Sequence, residues 1–430
     1  MTDANSNNGN LNMNNEKGLK ILVVTECFWP DIYAVNDIVE KLVQKGHRVT
    51  VLTGLPDYTT TRIPPEYKHG KNRHQNYKGA DVYRVPTIAR RHGPIFRSLS
   101  YLSFAFNGKF RALTQDFKHT DVWGKTSEDA DFDVIYVWEV SPVTMAVPAI
   151  ALKKRYHKPL FLYCMDIWPE CVKAMSIKEG TLPYRMIHAW TKRIYKACDH
   201  IAVSSEPFFE YLQRVNGIGR EKMSYLPQYA DAGLLSLDTK KTPDGRTDFL
   251  FIGNIGKAQN VDCLIRAMSV FKGRNDVTLH MVGGGSAYED TVALVKELSL
   301  EDQVIFYGPK PFKEAVAFYT KADACVLTLD GSTRIGDTLP GKLQTYMAAG
   351  KTILAAANGA ASDIIGKAQC GKCVTAGDDV AYGQALLDFA DNKDKYADCG
   401  DKGRDFFRDN FMEDQHFETL IDKLREMSGK

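Results

Sequence analysis

Residues 19–53, LKILVVTECFWPDIYAVNDIVEKLVQKGHRVTVLT, hold a short apolar strand, a helix and a second strand in immediate succession. Ile38, Val39, Leu42 and Val43 recur at helical spacing and Gly46 supplies the stop, so a helix lies between "KILVV" and "RVTVLT". The alternation continues through "VYRVP", "VIYVWE", "LFLYCM" and "HIAVSS". Apolar runs of strand length separated by helices are the pattern of a parallel sheet covered on both faces. A polar stretch, DTKKTPDGRTD at 238–248, reads as a linker, and a second series starts after it: "FLFIG", "VTLHMVG", "QVIFYG", "ACVLTL" and "TILAAA", with helices in "VDCLIRAMSVF" and "EDTVALVKELSL". The expected fold is α/β, with two doubly wound, Rossmann-like domains. The divisions are a disordered, asparagine-rich tail at 1–17, a domain at 18–237, the linker at 238–248, a domain at 249–405, and a C-terminal helix at 406–430.

A chain of 430 residues suits two cores, and an apolar share of 44% fills them. Fifty-five basic residues against 53 acidic ones leave +2, so no global field draws the chain to nucleic acid, and any anion site is local. No apolar run reaches membrane-span length and no signal-peptide pattern opens the chain, which places it in the cytoplasm. Nine scattered cysteines do not suggest a disulfide framework. Cys370 and Cys373 have zinc-knuckle spacing without a second pair, and read as a turn.

Ligands of doubly wound sheets sit beyond the carboxyl ends of the strands. Three such ends in the second series carry glycine. "FLFI" runs into Gly253-Asn254-Ile255-Gly256-Lys257-Ala258-Gln259, "VTLHMV" into Gly283-Gly284-Gly285, and "ACVLTL" into a loop ending at Gly341-Lys342. In DTLPGKLQTYMAAGK, residues 337–351, Pro340 stands at a helix start, Leu343, Tyr346 and Met347 mark the inward face, and Gly350 ends it. The first turn of a helix presents unpaired N–H groups and partial positive charge, to which Lys342 adds a full one; that suits a phosphate. The plain alternative is ordinary turn chemistry and a solvated lysine. Two lysines beside glycines at two loops favour a diphosphate. Neither a Walker loop nor a dinucleotide fingerprint is present, which argues against a dehydrogenase.

Together, ILVVTECFWPDIYAVNDIVEKLVQKGHRVTVLTGLPDY, YCMDIWPECVKA, GNIGKAQN and TLPGKLQTYMAAGK resemble the nucleotide-sugar-dependent glycosyltransferases of the GT-B fold, family 4, in the branch that builds bacterial surface polysaccharides; the likeness spans about residues 18–425. It implies two domains facing a central cleft, with the donor held by the second domain and the acceptor by the first. Carried onto this chain, Lys257 and Lys342 pair with the donor diphosphate and the amides from Gly341 onward cap it. Gly283, Tyr307 and Gly308 border the nucleoside, and Asn254, Gly256 and Gln259 form the first phosphate loop, with Asn254 and Gln259 where relatives often have Arg and Lys. Two glutamates seven residues apart are common in the family; here Asp337 and Thr345 stand in their places, beside Thr338 and Gln344. Gln344 or Thr345 is then the ribose contact.

On the acceptor side, Trp29, Asp31 and Asn36 shape the first loop, where Ala34 and Val35 replace the family's glycine pair. Asp166 either orients the acceptor hydroxyl or caps a turn ahead of Pro169. His188, His200 and His280 fall inside helix or strand patterns and read as structural. EDADFD, residues 128–133, precedes a strand and reads as a solvated run, so neither metal nor cofactor is expected. ARRHGPIFRSLSYLSFAFNGKFRAL, residues 89–113, interleaves basic and aromatic side chains, either to lie on an anionic membrane or to pack inward as an ordinary domain helix. The implied function is retaining transfer from a nucleotide-diphosphate sugar, UDP-linked, to a polyprenyl-diphosphate-linked or saccharide acceptor in exopolysaccharide, capsule or O-antigen synthesis. A nucleotide-sugar 2-epimerase and a non-catalytic nucleotide-sugar-binding partner are the alternatives.

Overall fold

A computed structural model describes residues 18–57, 61–91, 93–117, 132–175, 177–332 and 334–430. The tail at 1–17 and most of the 128–133 acidic run lie outside them; Asp133 lies within, buried, accepting from the Lys20 amide at 2.8 Å. The chain forms two compact units: one ends at Leu162 and also takes in Arg425–Lys430, and the other is Tyr163–Leu424.

In the first unit, β1 (Lys20–Val24) leads into the helix Ala34–Gln44 and back to β2 (Arg48–Thr53), as the apolar periodicity requires. β3 (His74–Tyr77) and β4 (Ala80–Arg84) form a hairpin closed by Lys78 and Gly79, both at positive φ. β5 (Val134–Glu139) extends the order to β3-β4-β2-β1-β5. All pairings here except the hairpin are parallel. The chain leaves β1 toward β2 on one side and reaches β5 on the other, so the ends of β1 and β5 flank a switch point, the natural mouth of such a sheet.

The helix Pro94–Thr114 settles which of its aromatics pack. Tyr101, Phe104, Ala105, Gly108 and Ala112 are buried. Ile95, Leu99, Leu102, Phe106, Phe110 and Leu113 follow one another every three or four residues on the exposed side, with Phe106 and Phe110 more than 60% exposed. The inward-packing reading therefore holds for one face, and the other is left exposed.

The chain passes between the units within β6 (Leu160–Cys164). In the second unit β7 (His200–Val203) and the short β8 (Met223–Tyr225) pair in parallel. Six further strands form one parallel sheet: β9 (Thr247–Ile252), β10 (Val277–Val282), β11 (Val304–Gly308), β12 (Ala324–Thr328), β13 (Thr352–Ala356) and β14 (Gly371–Val374). Their order is β11-β10-β9-β12-β13-β14, so the switch point falls between β9 and β12. β14 corrects one reading: the Cys370–Cys373 stretch is an edge strand rather than a turn. Cys370 is buried, and the Cys373 thiol donates to the Ala357 carbonyl at 3.3 Å. The C-terminal stretch is two helices, Cys399–Asn410 and Glu413–Ser428.

The polar 238–248 segment is clamped by charge. The Lys241 ammonium reaches Asp244 at 2.9 Å, Asp248 at 2.5 Å and Asp323 at 3.0 Å. Burial works to raise the Asp248 carboxyl, but hydrogen bonds from His280 and Lys241 bring it down to about 2. His280 bridges Asp248, at 3.0 Å, to the Tyr307 hydroxyl, at 2.9 Å. His188 and His200 likewise meet Val215 O and Ser224 Oγ, each at 2.8 Å.

Gly253 and Gly283, which end β9 and β10, approach back to back. A Cβ on Gly283 would lie 1.8 Å from the Gly253 carbonyl oxygen, and φ there is +142°. No side chain fits without moving the strand end. Gly283→Ala is therefore expected to destabilise the protein by about 3 kcal/mol or more, read as a lowered urea midpoint at unchanged slope.

Candidate donor site

The ends of β9, β10 and β11 are laced by backbone hydrogen bonds: Gly253 N to Val282 O at 2.9 Å, Ile255 N to Gly284 O at 2.9 Å, and Gly283 N to Gly308 O at 3.0 Å. Gly285, at φ +157°, sits so close to Asn254 and Ile255 that an added Cβ would lie 2.4 Å from each residue's oxygen. The glycines are thus required by packing of loop on loop, and they bring three strand ends to one rim.

On the far side of the switch point the helix Gly341–Ala348 begins at Pro340. Its inward Tyr346 accepts from the Ile252 amide at 3.1 Å and donates to the Ile252 carbonyl at 3.3 Å, which fixes the helix against the end of β9. Nothing lies within 4 Å of where a Gly341 side chain would begin, so the helix start faces open space. The Leu343 amide is taken by the Pro340 carbonyl at 2.9 Å, which leaves the dipole and the amides ahead of it to an anion there.

Lys342 folds back from this start toward Gly253. Atoms of its chain end, Cε and Nζ, lie 3.5 and 3.6 Å from a Cβ built on Gly253. Its ammonium stands 4.0 Å above the centre of the Phe251 ring and is buried without a hydrogen-bond partner among the described residues. Burial alone holds its pKa down to about 8. Against its ordinary value of 10.5, that is about 3 kcal/mol of unfavourable charge burial, offset in part by the aromatic face. The penalty is complete below pH 8, where the folded protein carries the proton, and fades as pH rises through 8 toward the unfolded value. An anion brought beside this ammonium would relieve that cost.

Lys257 is exposed on the turn Lys257–Gln259; its carbonyl accepts from the Asn260 amide at 3.2 Å, and its side chain makes no hydrogen bond or ion pair among the described residues. Asn254 donates to Gln259 at 3.2 Å around the small Gly256, so the two residues that replace the family's cations bond each other. The Tyr307 hydroxyl is held by His280, and Gly308 O by Gly283 N. Asp337 is ion-paired to Arg334, and its carbonyl accepts from Ser205 Oγ. Thr338 is half-buried. Gln344 is buried and donates to the Gln228 carbonyl, while Thr345 bonds back to Gly341 O at 3.2 Å. Asp166 is half-buried, and its carbonyl accepts from the Cys164 thiol at 3.1 Å.

Trp29, Asp31 and Asn36 lie in the other unit, at the end of β1. The Asn36 side chain accepts from Trp29 N at 3.0 Å and donates to Asp31 O at 2.7 Å, so it holds the loop in shape. Asp31 Oδ2 accepts from Asp57 N at 3.1 Å. Three side chains stand out that the sequence did not single out: Phe251 under the lysine and Arg334 beside Asp337 in one unit, and Glu26 just past β1 in the other. Glu26 is buried, with Oε1 accepting from Ser100 at 3.3 Å and Oε2 unpaired; burial, reinforced by Asp57, pushes it up to about 8 against Arg90 and Ser100.

Two family models match, glycosyl transferases group 1 over residues 237–406 and glycosyltransferase family 4 over residues 34–232. The chain belongs to this family and is a glycosyltransferase of GT-B fold. Among solved structures it is similar to a sucrose-phosphate synthase from Thermosynechococcus elongatus, with 16% identity, TM-score 0.69, and 95% of this chain and 99% of that one covered. A glycosyltransferase from Rickettsia africae gives 13%, 0.66, 96% and 99%. Anabaena HepE in complex with UDP gives 14%, 0.67, 95% and 100%. No curated protein matches.

If the ammonium is held for a ligand, its removal relieves the free protein. Lys342→Met is expected to raise the melting temperature of the ligand-free enzyme by a few degrees, about 1–3 kcal/mol, and to abolish any further rise on adding UDP. A fall in melting temperature with the UDP response kept would contradict this assignment.

Proposed function

We propose that this glycosyltransferase moves a sugar from a UDP-linked donor, with retention, onto a lipid-linked saccharide acceptor in bacterial surface-polysaccharide synthesis. The observation that carries the donor half is the buried, unpaired Lys342 ammonium at the open start of the 341–348 helix. UDP in HepE, a protein of similar fold, supports the choice of base. In this reading residues 249–405 hold the donor and residues 18–237 the acceptor.

The chemistry follows from charge. As the bond from the anomeric carbon to the diphosphate oxygen breaks, negative charge grows on the leaving UDP, and preorganised donors that face this charge lower the barrier. Lys342 and the helix start meet it from one side, and Lys257 closes on it from its mobile side chain. The acceptor hydroxyl oxygen forms the new bond to the anomeric carbon, and its proton passes to a diphosphate oxygen of UDP. Ribose recognition does not repeat the family's carboxylate: Thr345 is the group left at that position, because Gln344 is committed to Gln228. Asp166 orients the acceptor hydroxyl.

Lys342→Ala is expected to lower kcat about a thousandfold or more with the circular dichroism spectrum unchanged, and Lys257→Ala about tenfold to a hundredfold. The anomeric configuration of the product, read by proton NMR, should match the donor's. An inverted product would overturn retention, and conversion of UDP-sugar in the absence of acceptor would replace transfer by epimerisation.

The exposed stripe of the 94–114 helix carries the membrane half of the reading. Arg97, Lys109 and Arg111 accompany it, and the helix has no acidic residue, so the complementary surface is an anionic bilayer. Among the described residues no helix is long and apolar enough to cross a membrane. Phe106→Ser with Phe110→Ser is expected to cut sedimentation with phosphatidylglycerol vesicles about tenfold while leaving UDP binding intact; full retention of vesicle binding would remove this contact.

A further inference from the structure

Glu26 follows β1 in the first unit, where that strand reaches the switch point of its sheet. Its main-chain carbonyl is tied down, accepting from Gly54 N at 3.1 Å and from Thr53 Oγ1 at 3.2 Å. Its buried side chain is only half satisfied: Ser100 donates to Oε1 at 3.3 Å, and Oε2 has no partner among the described residues. The polar groups that face this carboxyl are Cys27 beside it, Asp57 beyond β2, Arg90 ahead of the 94–114 helix, and Ser100 and Tyr101 on that helix.

Three of these neighbours begin a chain of hydrogen bonds that ends on the loop after β1. The Arg90 guanidinium donates to the Tyr101 hydroxyl at 2.8 Å, and the Arg90 amide to Asp57 Oδ2 at 2.6 Å. The Asp57 amide donates to Asp31 Oδ2 at 3.1 Å, and the Asn36 side chain joins Asp31 O, at 2.7 Å, to the Trp29 amide, at 3.0 Å. A charged Glu26 acts on two links of this chain, attracting Arg90 and repelling Asp57. A neutral Glu26 does neither. As a carboxylate in surroundings that screen charge poorly, it competes with the uncharged Tyr101 hydroxyl for the guanidinium, and the bond between two charged groups is the stronger one. The same event loosens the Asp57 link.

We infer that Glu26 is a positioning residue for the acceptor loop at 29–36: protonated, it leaves the chain from Tyr101 through Arg90 and Asp57 to Asp31 intact, and on losing its proton to solvent it draws Arg90 away and lets the loop shift. That the loop serves an acceptor rests on the transferase reading; the coupling itself does not. Burial, reinforced by Asp57, pushes the Glu26 carboxyl up to about 8, so the change falls as pH rises through that value. Burial also pushes the Cys27 thiol up to about 12 and raises the Tyr101 hydroxyl, so neither ionises together with Glu26.

The test uses the full chain and Glu26→Gln, whose amide keeps the shape of the neutral acid and has no proton to lose in this range. NMR of carbon-13-labelled glutamate carboxyls, assigned through the variant, gives the Glu26 midpoint. Amide hydrogen exchange over residues 29–36 and at Asp57, corrected for the intrinsic change of rate with pH, follows the loop from about pH 6 to about pH 10, and calorimetry follows UDP. In the unsubstituted chain the expected midpoint is about 8, with a loss of about tenfold in loop protection over the same pH range; in Glu26→Gln the protection stays at its low-pH level. UDP affinity, which varies with pH through Lys342, should be equal in the two proteins at each pH. A Glu26 midpoint in the ordinary carboxyl range, a loop that does not respond although Glu26 titrates near 8, or the same response in the variant would each overturn the inference. The first two results are read on the unsubstituted chain, so they decide the matter even if the variant folds poorly. Failure of UDP to bind either protein would instead strike the transferase reading and leave the coupling standing.

Discussion

An ammonium group sealed from water with nothing to pair it is costly, and the second unit is arranged around one. Most lysines keep their ammonium in water. Lys342 instead lies over Phe251 and against the backbone of Gly253. The aromatic face returns part of the lost hydration, but it cannot supply a counter-charge. In the function proposed above an incoming anion supplies that counter-charge, and the start of the helix that carries the lysine adds its dipole.

That lysine would have no place to go without the glycines opposite. Gly253 and Gly283 pack carbonyl against Cα at a distance no side chain permits, and Gly285 presses on Asn254 and Ile255. Three strand ends converge as a result, and Tyr346 locks the helix to the middle one through both polar groups of Ile252. The sheet order puts β9 and β12 side by side, so the loops after them diverge and leave the opening that the helix start faces. Further along β10 and β11, His280 fixes the Tyr307 hydroxyl and is itself fixed by Asp248. The strand ends are thus tied by backbone hydrogen bonds, whereas the Lys257 side chain is exposed.

Much of this could be read from the chain. The core strands announce themselves because a parallel sheet covered on both faces needs unbroken apolar runs, and "FLFI", "VTLHMV" and "ACVLT" are such runs. The strands that escaped are the ones without two covered faces. β3 is HQNY, half exposed; β8 is MSY, three residues long; β14 is GKCV at a sheet edge. Edge strands are polar or short for good reason, and so they resemble turns. Helical spacing also failed to say which aromatics of the 94–114 helix point outward, because large residues occupy both faces: Phe104 is buried and Phe106 is exposed. At the site, the glycine and lysine positions were visible as motifs, whereas Phe251 looked like any other core residue and Arg334 like any loop cation.

The most direct examination of this account is the titration of Lys342 itself. Lysine side chains labelled with carbon-13 can be followed by NMR at Cε as pH is raised, with Lys342→Arg used to assign the signal. The account predicts a midpoint of about 8 in the free enzyme, moving up to the ordinary lysine range or above when UDP is bound. A midpoint in the ordinary range without UDP, or one near 8 that does not move when UDP binds, would contradict it.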